Sequence, residues 1–332
     1  MKRGSGARRA APVARSREGG DSAGGLRVGI IAEPTGAHLG PLSVSLARCR
    51  GVAEVALADA TGQTFEKEAG IFQRRPAPLR TFRDPAEMLR GFQPQLAVVT
   101  LEAHRSAAAI GAALQSGCHV LAEKPACARA EEFEPLAAAA EARGRHLMLA
   151  FTSRLNPAIR KAAEVVRSGA LGRLYGVAMH YISDQTRLKS PSYQQSWFAS
   201  KQKAGGGDLV LHGIHELDVV QYVTGDRIRG VSGFSRNVGG LPIDIEDSNA
   251  LTLEFAGGML GTLQSGYYLD AGYQDDLRLW GADGWLLTVQ AAVDAAAGTA
   301  PPFVTGAECL SVLRAIFGLY RAAASGVSQT IL

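Results

Sequence analysis

The chain is poor in cysteine and has no long apolar run, and each shortage narrows what it can be. Its four cysteines, Cys49, Cys118, Cys127 and Cys309, form no C-x-x-C pair and no zinc spacing. That excludes a disulfide-stapled scaffold and points to reduced thiols in a cytoplasm. No stretch approaches the roughly 18 consecutive apolar residues of a membrane span, so no membrane partner is expected. Net charge is also scarce: 35 basic side chains oppose 31 acidic ones, for a formal +4. Lys2, Arg3, Arg8, Arg9, Arg15 and Arg17, set against Glu18 and Asp21, account for that whole excess, leaving the rest of the chain neutral. The surplus therefore does not argue for a nucleic-acid partner. Residues 1–25, rich in Gly, Ala, Arg and Ser, offer almost nothing to bury and are expected to be a disordered basic tail. The twin arginine Arg8-Arg9 lacks the apolar segment that an export signal needs.

What is present is an ordinary soluble composition, 46% apolar over 332 residues, enough for about two domains at roughly 100–200 residues each. From Arg27 the pattern alternates. Apolar runs at Arg27–Ala32, Val55–Ala58, Leu96–Thr100, His119–Ala122 and His146–Phe151 are separated by helix-forming segments such as Ala107–Gln115 and Glu131–Arg143. Short continuous apolar strands spaced by helices indicate βαβ units, so residues 26–151 are expected to form a doubly wound, Rossmann-type parallel sheet. Residues 152–332 read differently. After a helix at Pro157–Ser168 come longer, alternating strands at Leu174–Tyr181, Val231–Arg236, Ala250–Phe255, Leu260–Tyr267, Asp276–Trp280 and Trp285–Val289, with a closing helix near Ala307–Ala324. They predict an α+β domain with one large, mostly antiparallel open sheet.

A dinucleotide fold ends its first strand in G-x-G-x-x-G, so that backbone and helix N-terminus can approach a pyrophosphate. Here that turn is Ala32-Glu33-Pro34-Thr35-Gly36-Ala37. Pro34 removes a backbone donor and Glu33 adds a negative charge, both against tight pyrophosphate binding. Thr35 and Gly36 still let the turn close. Asp59, at the end of the second strand, is placed to accept ribose hydroxyls and to repel a 2′-phosphate, favouring NAD over NADP; a plain turn aspartate is the other reading.

Gly117-Cys118-His119-Val120-Leu121-Ala122-Glu123-Lys124-Pro125 resembles the G-x-H-V-x-x-E-K-P signature of the Gfo/Idh/MocA family, that of glucose–fructose oxidoreductase and inositol dehydrogenase. Arg154-Leu155-Asn156-Pro157, Ser168-Gly169-Ala170-Leu171-Gly172, Gly205-Gly206-Gly207, Gly213-Ile214-His215-Glu216-Leu217-Asp218 and Glu246-Asp247 follow in that family's order. The resemblance implies a cleft between a Rossmann domain and a C-terminal domain, hydride exchange between a nicotinamide cofactor and a secondary hydroxyl of a sugar, inositol or polyol, and a homodimer or homotetramer formed through the C-terminal sheet. Its catalytic candidates are Lys124 and His215. An imidazole titrates near neutrality, as a base for a hydroxyl proton should, and Lys124 is an ammonium at a strand's carboxyl end. By position in the family's pattern, Ala32, Pro34, Thr35, Gly36, Asp59, Thr100, His104, Glu123 and Lys124 are the candidate cofactor contacts. Arg154, Tyr181, Trp197, Lys201 and His212 are the candidate substrate contacts. No metal is expected, since His212 and His215 find no third ligand at metal spacing.

Two departures bear on activity. Family members commonly carry an aspartate four residues before the histidine, where this chain has Leu211 followed by His212. The Pro-x-x-x-His segment after the fourth strand becomes Leu101-Glu102-Ala103-His104. Leucine neither accepts a proton nor orients an imidazole. Three readings stand on the sequence: an NAD-dependent dehydrogenase or reductase, a non-catalytic binding or scaffold relative, and a glycoside-cleaving enzyme that uses NAD transiently.

Overall fold

The computed structural model describes residues 25–75, 78–289 and 306–331. The expected tail, apart from Gly25, lies outside the described residues. Six strands, β1 (Leu26–Ala32), β2 (Val52–Ala58), β3 (Arg80–Phe82), β4 (Leu96–Thr100), β5 (His119–Ala122) and β6 (Leu147–Leu149), form a parallel sheet in the order β3-β2-β1-β4-β5-β6. The order reverses between β1 and β4, the crevice where open α/β sheets bind ligands. Five helices connect these strands: α1 (Leu39–Arg48), α2 (Phe65–Phe72), α3 (Pro85–Gly91), α4 (Ala103–Gln115) and α5 (Ala130–Ala142). The continuous apolar strands are explained by burial on both faces: Val28, Ile30, Ala56, Leu57, Val98 and Val99 are almost wholly inaccessible.

The sequence pattern passed over β3, α2 and α3. Each is short, yet α3 carries a readable start, since Asp84 accepts from the Ala86 N–H and Pro85 occupies the first helical position. Asn156 and Pro157 repeat this device at α6 (Pro157–Arg167).

The second sheet has seven strands: β7 (Leu174–Asp184), β8 (Ile228–Arg236), β9 (Ser248–Phe255), β10 (Leu260–Leu269), β11 (Gln274–Gly281), β12 (Trp285–Val289) and β13 (Gln329–Thr330), ordered β12-β11-β7-β10-β9-β8-β13. All neighbours are antiparallel except β7 and β10. Strict alternation in β9, where Asn249, Leu251, Leu253 and Phe255 are buried and Ala250, Thr252 and Glu254 exposed, shows one covered and one open face. Two short helices, α7 (Pro191–Gln194) and α8 (Lys201–Ala204), precede α9 (Ile214–Thr224) and α10 (Gly306–Ser325); α10 covers the inner face at β8, and α9 packs on α10 and α6. Because α10 also packs on α5 and β6, the apolar core runs without a break from one sheet to the other.

Candidate active site

The glycines of Gly205-Gly206-Gly207 bring the chain into α9 along a path no side chain fits. A Cβ on Gly206 would overlap Tyr320, and one on Gly207 would overlap the Glu246 carbonyl. Glu246 accepts from the Gly207 N–H at 2.7 Å, the Leu209 N–H at 3.0 Å and the Tyr320 hydroxyl at 2.6 Å, which satisfies the donors at this entry. The backbone then winds into a single wide turn over Leu209–Gly213 before α9, an irregularity often found at functional sites. It directs Leu211, His212 and His215 toward the carboxyl end of β5.

There Lys124 donates to the Leu211 carbonyl at 2.7 Å, and a cavity of about 630 Å³ opens between the two sheets. Lys124, His212 and His215 line it, with His38 from the first turn and Tyr181 from β7. Phe198, beside the expected Trp197, completes its wall with Ala37, Leu211 and three residues that sequence reasoning missed, Arg187, Tyr193 and Tyr273.

Electrostatics in the cavity favour uncharged forms. Burial, and the Arg187 charge against the opposing pull of Glu123, bring the Lys124 ammonium below its ordinary pKa. Burial, then Lys124, drive both His212 and His215 well below the usual imidazole range, so both are neutral at pH 7. Their surroundings differ. His212 Nδ1 lies 3.2 Å from Asp208 Oδ1 and its ring stacks on Tyr181 at 5.5 Å. Neither ring nitrogen of His215 has a hydrogen-bond partner among the described residues; the ring only meets Phe151 edge-on. Burial also pushes the Asp208 carboxyl up to about 7.

A groove of about 490 Å³ follows the first turn from His38, which lines both spaces, toward α2. Gly36 is required here, because a Cβ would collide with the Thr100 carbonyl. Pro34 and Gly36 line the groove, Ala32 is buried beneath it, and Thr100 Oγ1 is buried without a partner at the end of β4. Glu33 does not stand as a free charge. It accepts from the Glu102 N–H at 2.7 Å and pairs with Arg105, while Thr35 donates to Glu102. Glu123, buried beside Lys124, pairs with His38 at 3.1 Å.

Asp59, the expected ribose contact, is engaged within its own turn. Its carboxylate is fully buried and accepts from the N–H and hydroxyl groups of both Thr61 and Thr64. Although burial opposes it, those bonds hold Asp59 below the ordinary aspartate range, tied to the turn before α2 rather than facing the groove. Two acids line the groove, Glu33, already paired, and Glu68, nearly inaccessible and with Oε2 unpartnered. Its signal was faint, one acid among three charges in α2.

Other expected contacts lie elsewhere. Arg154 is buried in a bidentate pair with Asp218, at 2.6 and 2.8 Å, and binds Glu308 at 2.9 Å; it is a structural clamp outside the cavity. Trp197 is buried beneath Phe198 and donates to the Thr35 carbonyl at 2.8 Å, bracing the first turn. Lys201 and His104 line a separate pocket beside Tyr320, with Lys201 over the Tyr320 ring. Among the described residues, no group of three or more His, Cys, Asp or Glu is placed to hold a metal, and no helix is long and apolar enough to cross a membrane.

Comparison with known proteins fits this geometry. Residues 37–151 match the oxidoreductase family profile described as an NAD-binding Rossmann fold, and residues 159–287 match the GFO/IDH/MocA C-terminal domain. The chain is 26% identical over 175 residues to levoglucosan dehydrogenase of Pseudarthrobacter phenanthrenivorans, covering 46% of this chain and 44% of that protein. It is 27% identical over 201 residues to D-glucoside 3-dehydrogenase of Escherichia coli, covering 56% of each. The chain thus spans about half the length of these curated relatives. The crystal structure of a protein of gentamicin A biosynthesis in complex with NAD shares the fold, with a TM-score of 0.79 at 21% identity over 96% of this chain and 99% of that one. The protein belongs to the Gfo/Idh/MocA family of oxidoreductases.

Proposed function

We propose that the protein is a dehydrogenase or reductase that interconverts a secondary hydroxyl and a ketone on a sugar, inositol or related polyol, with NAD as its preferred cofactor. The observation that carries this reading is the convergence of Lys124 and His215 on one cavity at the switch-point end of the parallel sheet. The residues of the groove fit a dinucleotide. Glu68 Oε2 and Thr100 Oγ1 are buried polar atoms without partners, as an acceptor for a ribose hydroxyl and a donor to a cofactor oxygen would be, and Arg105 neutralises Glu33, the charge that argued against a phosphate there. Glu68, Gly36 and His38 would hold the adenosine side, and Thr100, Glu123 and Lys124 the nicotinamide side. When bound, the nicotinamide accepts or returns hydride at carbon.

The remaining chemistry belongs to the side chains. Neutral, unpartnered His215 is a base ready to take the hydroxyl proton. Lys124, anchored on the Leu211 carbonyl, donates to the same oxygen and steadies the charge that develops as the proton leaves. Asp208 holds His212 with Nδ1 as donor, leaving Nε2 as an acceptor toward the cavity. Titration with NADH and NADPH, followed by nicotinamide fluorescence, tests the cofactor; absence of binding to either at millimolar concentration overturns the reading. His215→Ala is expected to abolish turnover found in a polyol screen.

A binding protein without turnover is the second reading, favoured by Pro34 in the first turn and Leu211 in place of an acid. A self-associated dimer or tetramer through the open face of the seven-stranded sheet accompanies either reading. Trp280 and Trp285 pair across neighbouring strands on that sheet and are 42% and 69% exposed, near Leu260 at 64%.

A further inference from the structure

The cavity is more cationic than hydride transfer to a neutral polyol demands. One permanent cation, Arg187, lines it together with the Lys124 amine and the imidazoles of His38, His212 and His215, and among the described residues no aspartate or glutamate does. Of the acids nearby, Glu123 pairs with His38 and Asp208 with His212. Asp184, three residues before Arg187, is partly exposed and accepts from the Thr186 N–H. Among the described residues Arg187 forms no ion pair. Its guanidinium donates to the Tyr273 hydroxyl, approaches His212 Nε2 at 3.5 Å, and lies 5.8 Å from the Tyr267 ring centre and 5.9 Å from that of Tyr273. Of its five N–H donors, most are left without an acceptor.

Such an arrangement is costly without a counter-charge. A half-buried guanidinium loses hydration that aromatic faces and one phenol restore only in part. Lys124 and the imidazoles add to the cost, since each lowers its neighbour's tendency to carry charge. An oxidised nicotinamide brings one further positive charge. The deficit is one anion, and the planar guanidinium fork matches the paired oxygens of a carboxylate or phosphate.

We propose that the site takes an anionic sugar or polyol, a sugar acid or a sugar phosphate, whose charged group is held by Arg187 while Tyr273 fixes the orientation of the guanidinium. This substrate class rests on the dehydrogenase reading for its chemistry, but the anion site itself does not need the cofactor. A neutral polyol of the same size leaves Arg187 desolvated and unpaired, so the site discriminates by charge as well as by shape.

Calorimetry on the full chain, with and without NADH, tests this with four probes: D-glucuronate, D-glucose 6-phosphate, D-glucose and myo-inositol. One of the two anions is expected to bind at least about tenfold more tightly than either neutral compound, a difference of about 1.4 kcal/mol. Glucuronate winning identifies a carboxylate site, and the phosphate ester winning identifies a phosphate site. Arg187→Met is expected to erase the preference and Arg187→Lys to retain part of it, with NADH fluorescence of each variant reporting whether the fold survives. If Arg187→Met does not fold, loss of the wild-type preference on raising ionic strength serves in its place. Equal binding of charged and neutral probes, no binding of either anion at millimolar concentration, or an unaltered preference in Arg187→Met overturns the proposal. Turnover of the neutral compounds alone would leave the dehydrogenase reading standing and remove the anion site. Anion binding through Arg187 in a chain that binds no NADH would do the reverse.

Discussion

Lys124 reaches across from the end of β5 to the Leu211 carbonyl at 2.7 Å, so the position that lacks an acid still holds the lysine, by its backbone. The bond anchors the ammonium but supplies only a dipole, leaving burial and Arg187 free to depress its pKa. Leu211→Asp would add a full negative charge in the same wall. It is expected to raise the Lys124 pKa by about one unit or more, as an adjacent opposite charge does. The limb of the pH–rate profile governed by Lys124 should move to higher pH by that amount; an unmoved limb would show that another group titrates there.

Asp208 stands one turn before His212 and fixes its Nδ1 proton, an acid–imidazole pair offset by three residues from the expected one. Asp208→Asn is expected to lower kcat about tenfold or more with little change in KM, because the wrong tautomer of His212 becomes accessible. The Asp208 carboxyl, pushed up to about 7 by burial, loses its proton as pH rises through neutrality. The wild-type profile should therefore contain a rising limb near pH 7 that Asp208→Asn lacks. A change in KM alone would assign Asp208 to substrate fit.

Much of this architecture was legible because it is written locally. Continuous apolar strands identify the parallel sheet, alternating ones the second sheet, and Lys124 and His215 sit beside motifs that signal themselves. Arg187 and Tyr273 were not legible. They lie 86 residues apart, in a short turn at Thr186–Lys189 and just ahead of β11, and meet only because Gln274 of β11 pairs with Ile182 of β7. Asp59 was open to two readings for a local reason. The spacing Asp59, Thr61, Thr64 is that of a carboxylate captured by its own turn, and such capture competes with any ligand. Asp208 was overlooked because the register of the expected aspartate drew the eye to Leu211.

Glu68 and Asp59 make opposite predictions. Glu68→Gln is expected to weaken NADH binding about tenfold or more, in the range of one hydrogen bond to a charged group, with the melting temperature held. Asp59→Asn removes half of a saturated acceptor set and should lower stability by about 1–2 kcal/mol. Fluorescence titration and thermal unfolding of both variants separate them. If Asp59→Asn alone lost NADH affinity with stability intact, Asp59 would regain the ribose role.

Glu216 is buried without a hydrogen-bond partner among the described residues, and burial, then Asp275 and Asp276, push its carboxyl up to about 8. In the unfolded chain the same group titrates near 4.3. The folded state binds the extra proton between those values, so its contribution is fully present below about pH 4 and is lost as pH rises toward 8. Glu216→Gln removes that loss. The variant should melt higher than wild type at pH 9, and the gap should close or reverse at pH 5; parallel melting curves across this range would mean Glu216 is not protonated in the fold.

Trp280 and Trp285 test the open sheet face. Both belong to a row that continues through Gly176 to Leu260, and small residues at Gly176 and Ala178 leave the centre of the face flat. The apolar part of this face, at Trp280, Trp285 and Leu260 beside Arg278, Thr262 and Glu254, is stabilised by a second copy that removes it from water, at about 25 cal/mol for each Å² of apolar surface covered. Wild type is expected to sediment as a dimer or tetramer, and Trp280→Glu should shift it to a smaller species, because a carboxylate buried at a symmetric contact meets its own copy. A wild-type monomer at micromolar concentration, or an unchanged oligomer in Trp280→Glu, would move the assembly surface away from this face.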